Sequence, residues 1–134
     1  MKIIFLTVLS LCIFSYARSG SDTKYETFIV HVDSISHSGN VRVGDTIKIG
    51  FYGTIGTDGC HSFSHFEEYI GESSIELTVW GKRSMDEICP AVMVYLEGRQ
   101  YCFLARRVGK LQIRINQPDS TILKDSLKIV GPDE

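Results

Sequence analysis

Short runs in which apolar and polar residues alternate, separated by glycine-rich breaks, recur along most of this chain. Alternation of period two is what a strand needs when one face is buried and the other wet, because successive side chains point to opposite faces. Phe28, Val30 and Val32 alternate with Thr27, Ile29 and His31, which predicts a first strand over residues 25–33. Residues 34–40 read as a polar loop. After the turn signal Gly44-Asp45, Ile47, Ile49 and Phe51 share one face of the clearest strand in the chain. Gly53, Gly56 and Gly59 then mark turns or bulges that use the left-handed backbone open to glycine.

In residues 61–69, Phe63 and Phe66 stand at a helical spacing, which fits either a bulged strand or a single helical turn; the segment is assigned as strand. Residues 74–80 place Ile75, Leu77 and Val79 on one side and Glu76, Thr78 and Trp80 on the other. Further strands are predicted over residues 91–96, 100–106 and 111–116, and a turn at Pro118-Asp119-Ser120 leads into a last one over residues 122–130. Seven or eight strands with turn signals about every ten residues predict an all-β fold, an immunoglobulin-like antiparallel β-sandwich. A small barrel is the alternative.

The first residues follow a different rule. Lys2, the apolar run 3–14 and the small or polar residues from Ser15 onward have the order of a secretory signal. Small residues permit cleavage after Ala17 or after Ser19; the second gives a signal peptide over residues 1–19 and one domain over residues 20–134. The run is shorter than the roughly 20 apolar residues that span a bilayer. A lipid anchor on Cys12 is the weaker alternative, since Leu11 stands where a lipidation signal needs a small residue. Removing Lys2 and Arg18 with the signal leaves 12 basic against 16 acidic residues, a net charge of −4. That balance argues against nucleic acid as a partner, and the short basic clusters Lys82-Arg83 and Arg106-Arg107 to Lys110 read as solvated strand ends or loops.

Export changes how cysteines are read, because an oxidising compartment favours disulfides over reduced thiols. Cys60 and Cys89 sit at element ends where two backbones can meet, and they are paired on that ground; pairing of Cys102 with Cys89 and an intermolecular bond are the alternatives. Closing a loop of about 30 residues stabilises the fold by roughly 3.6 kcal/mol on the loop-entropy estimate. Cys102, between Tyr101 and Phe103 in an alternating run, reads as a small buried thiol.

Only Cys60-His61-Ser62-Phe63-Ser64-His65 concentrates reactive side chains. On a regular strand His61 and His65 share a face about 13 Å apart, too far for a common metal. A disulfide-bonded Cys60 is no nucleophile, and Glu67 and Glu68 as strand neighbours face opposite sides. No catalytic residue, metal or cofactor is assigned. Tyr52, Tyr69, Trp80 and Tyr95 fall on positions that the alternation gives to solvent, where they can stack on sugars, anchor a protein, or pack beneath another layer.

The segment Gly56-Thr57-Asp58-Gly59-Cys60, with Ser62-Phe63, Phe66-Glu67, Cys89, Tyr101, Phe103 and Gly109 to Ile113, resembles secreted proteins and lipoproteins of Bacteroidota over residues 41–130. The resemblance implies an immunoglobulin-like sandwich in which Cys60 matches Cys89, and it carries no catalytic residues. Two features depart from that group: the poor lipidation signal and the position of Cys102. Together these readings point to an exported binding or structural module of the cell envelope or extracellular space, acting through a sheet or loop surface on a cell-surface protein or glycan. The alternative is a small secreted enzyme or a protease inhibitor, the latter presenting residues 81–87 as a rigid loop.

Overall fold

The computed structural model describes residues 24–85 and 88–132. The expected signal peptide, Cys12 with its lipid-anchor alternative, and Glu87 lie outside the described residues. In chain order the strands are β1 (Tyr25–Ile29), β2 (Ser34–Ser36), β3 (Asn40–Arg42), β4 (Thr46–Tyr52), β5 (Thr54–Gly56), β6 (His61–Ile70), β7 (Ser74–Ser84), β8 (Val94–Tyr95), β9 (Arg99–Leu104), β10 (Gly109–Asn116) and β11 (Ile122–Val130). The described residues contain no helix.

β7 organises the larger sheet. β6 lies antiparallel along one of its edges from Ile75 to Arg83. The other edge is divided, with β1 antiparallel beside residues 80–84 and β10 parallel beside residues 74–77. The sheet continues through β11, antiparallel to β10, to β3, parallel to β11. In the smaller layer β4 lies between β2 and β9, and β5 pairs with β8. Backbone bonds from Gly98 N–H to the Phe51 carbonyl and from Leu96 N–H to the Gly53 carbonyl join the β4–β9 and β5–β8 ladders into one ribbon. It is interrupted where Glu97 and Gly98 take φ of 51° and 75°.

Ile47, Ile49 and Phe51 of the small sheet form one buried cluster with Ile75, Leu77, Val79, Ile113 and Ile115 of the large one. Each such side chain removed from water stabilises the fold by about 1.5–3 kcal/mol. The expected all-β sandwich is thus the observed architecture. Two parallel ladders, β7–β10 and β3–β11, correct the expectation of a wholly antiparallel arrangement.

Several details differ from the sequence reading. The expected first strand ends its ladder at Ile29, yet Val30 and Val32 remain in the core as the chain leaves β7 for β4. At this crossing Val32 has no strand partner; the buried Gln117 amide accepts from its N–H at 2.9 Å and donates to its carbonyl at 2.8 Å. A side chain here replaces a ladder rung, without which two buried backbone groups would each lose about 1–3 kcal/mol. The expected polar loop at residues 34–40 contains β2 and the start of β3, segments too short to show periodicity. The expected strand at residues 91–96 shrinks to β8, and Val92 is exposed.

Gly53, Gly56 and Gly59 serve close approach rather than left-handed backbone. A Cβ on Gly56 would strike the His61 ring, and one on Gly53 would lie 2.5 Å from the His31 carbonyl oxygen. Positive φ falls instead at Gly44, Gly98 and Gly109. The expected loop at residues 81–87 is also revised, because Gly81 to Ser84 complete β7, with β1 beside all four residues and β6 beside Gly81 to Arg83.

Candidate functional site

The ambiguity of the Phe63 and Phe66 spacing resolves as a β-bulge. Phe63 pairs with Gly81 and His65 with Trp80, so Ser64 is an extra residue in β6. The insertion inverts the alternation, and Phe63 and Phe66 both reach the core, with ring centroids 4.9 Å apart. It also corrects the expectation that His61 and His65 share a face. His61 packs edge-on against Phe28 on the core side, whereas His65 lies over the outer face beside Trp80.

On that outer face the Trp80 indole N–H donates to Glu67 Oε2 at 2.9 Å. The His65 ring lies parallel to the indole within 10°, centroids 6.1 Å apart. Next to Trp80 on the same strand face, Thr78 is 7% exposed although it points away from the core. Asn116 Nδ2 donates to Thr78 Oγ1 at 3.0 Å and to Glu76 Oε1 at 2.8 Å, tying β10 to β7 across their parallel ladder. The register then sets Tyr69, Glu76, Arg114 and Lys124 side by side across β6, β7, β10 and β11. With strands about 4.8 Å apart, this row spans about 14 Å.

The four aromatic residues singled out from sequence do not form one row. Tyr69 and the half-buried Trp80 belong to the large sheet, Tyr52 and Tyr95 to the small one. Tyr52, Tyr69 and Tyr95 are exposed; only the large-sheet pair stands beside a fixed polar network. Sequence reasoning did not single out Asn116, Arg114 or Glu76. Their polar strand positions were legible, but the parallel β7–β10 pairing that gathers them was not.

Cys60 and Cys89 form a disulfide with Cα atoms 5.3 Å apart. Asp58 organises its approach: one carboxylate oxygen accepts from Cys60 N–H at 3.0 Å and meets His61 Nδ1 at 2.8 Å, while the other lies 3.7 Å from Arg83 Nη2. Burial acts to raise the Asp58 pKa, but the Cys60 N–H, His61 and Arg83 outweigh it and hold the carboxyl below its ordinary value. Asp58 also lies close to both sulfurs. With those sulfurs bonded to each other no thiolate is present, so the cluster is a covalent staple rather than a metal-ligand set. Cys102 is exposed, not buried as expected. Tyr101 and Phe103 take the core side of β9, which turns Cys102 outward opposite Lys48.

The disulfide fits an oxidising compartment, and among the described residues no helix is long and apolar enough to cross a membrane. Comparison with family models, curated proteins and solved structures finds no match to this chain.

Proposed function

We propose that this protein is an exported binding module of the cell envelope or extracellular space, and that the outer face of its large sheet is the working surface. The observation that carries this reading is the arrangement around Trp80. Its indole is fixed in orientation by Glu67 and flanked by His65, next to the Thr78, Asn116 and Glu76 network. A flat aromatic ring beside pre-set donors and acceptors suits a ligand with alternating apolar and hydroxyl faces, because stacking and hydrogen bonding occur without reordering the protein. The leader-like residues 1–19, the disulfide and the resemblance to exported Bacteroidota proteins support the compartment.

The test is binding of the purified protein to an array of cell-surface glycans and surface proteins. The expected result is saturable binding that falls at least about tenfold in Trp80→Ala, with an unchanged unfolding midpoint, as for loss of an aromatic anchor. Turnover of a substrate, or binding indifferent to Trp80, would overturn the reading.

A further inference from the structure

The other half of the same sheet face has a different chemistry. Strand parity directs Lys110, Gln112 and Arg114 of β10, Lys124, Ser126 and Lys128 of β11, and Asn40 and Arg42 of β3 outward, since Leu111, Ile113, Leu123, Leu127 and Val41 on the other parity are core or pack against it. Asp125, the one acid in these three strands, falls on the other parity and bonds His37. Five cations therefore share a surface whose other outward polar positions are neutral. Among the described residues, none of the five forms an ion pair.

The register sharpens this. Lys110 stands directly opposite Lys128, and Arg114 directly opposite Lys124. Like charges facing each other across a ladder destabilise it. A chain with 14 basic and 16 acidic residues has acids enough to avoid the clash. A shallow hollow of about 360 Å³, lined by Asn40, Val41, Arg42, Lys128 and Val130, lies at the same corner.

We infer that the outer face of β10, β11 and β3 binds an anionic polysaccharide, whose carboxylate or sulfate groups pair with Lys110, Arg114, Lys124, Lys128 and Arg42 while its sugar rings extend toward Trp80 and Tyr69. This rests on the binding-module reading and names its ligand class. Charge complementarity supplies the anion, and the unbroken row from Tyr69 through Glu76 and Arg114 to Lys124 supplies the sugar. A lipid surface fits less well, because the outward apolar residues of these strands, Ile122 and Val130, are both half-buried and cannot insert.

The experiment measures equilibrium binding of the purified protein to polygalacturonate, dextran sulfate, neutral dextran and phosphatidylglycerol vesicles. The expected result is binding to the two charged polysaccharides and not to dextran, weakened by added salt as exposed ion pairs are. Lys110→Glu with Lys128→Glu should reduce it at least about tenfold, as a summed effect of exposed charge pairs. Lys48→Glu, on the opposite sheet, should leave it within about twofold by the same measure of one remote charge. Lys128→Gln should bind more weakly yet unfold no more easily, because it relieves the clash with Lys110. Equal loss in Lys48→Glu, preference for vesicles, or destabilisation by Lys128→Gln would overturn the inference. Trp80-dependent capture of neutral glycans alone would overturn it while leaving the binding-module reading standing, and absence of binding to any glycan or protein would remove both.

Discussion

His37 is the residue whose protonation is most firmly written into its contacts. Its Nδ1 faces the Ser38 carbonyl at 2.8 Å and its Nε2 the Asp125 carboxylate at 2.9 Å. Neither oxygen can donate, so both ring nitrogens are satisfied only in the imidazolium form. Burial acts to lower its pKa, but the Ser38 and Asp125 contacts outweigh that and raise it above 6.5. Asp125 is correspondingly lowered below 3.8 by the His37 hydrogen bond and the Ser126 N–H, against the opposing effect of burial. The signs define a window. The His37 contribution is complete below pH 6.5 and is lost as pH rises through its raised value; the Asp125 contribution is present above pH 3.8 and is lost as pH falls through its lowered value. Stability measured by urea unfolding should therefore fall above about pH 6.5 in the native protein and less steeply in His37→Gln; identical slopes would disprove the pairing. None of this was legible in the sequence, where His37 is 88 positions from its partner.

At the scale of elements, alternation located the long strands because each buries a continuous face, and the pair Cys60 and Cys89 was legible because both residues flank element ends. Short strands held by tertiary contacts were not legible. β2 and β3 have three residues each, too few for a period to register, and the β1 crossing depends on the remote Gln117 amide. The Ser64 bulge lay between: its cause, two aromatics three apart, was visible, but its consequence for His65 required the β7 register. The disulfide clamps the start of β6 to the segment after β7 across 29 residues. Reduction, or Cys60→Ala with Cys89→Ala, should lower unfolding free energy by about 3–4 kcal/mol. Denaturant midpoints of oxidised and reduced protein measure this, and coincident midpoints would show that β6 and β7 are held by packing alone.

The whole molecule separates its charges. A chain with a small negative net charge collects unpaired cations on β10, β11 and β3 and sets carboxylates and aromatic rings on β6 and β7, all on one face of one sheet. The sequence contained both patterns as polar strand positions, yet adjacency came from parallel pairings that no local signal encodes. That face is the centre of the functional proposal. Backbone amide chemical shifts recorded during titration with oligogalacturonate test it most directly. The predicted result is a contiguous set of perturbations on β7, β10 and β11, including Trp80, Arg114 and Lys128. Perturbations confined to the small sheet around Tyr52 and Tyr95, or scattered over both faces, would contradict it.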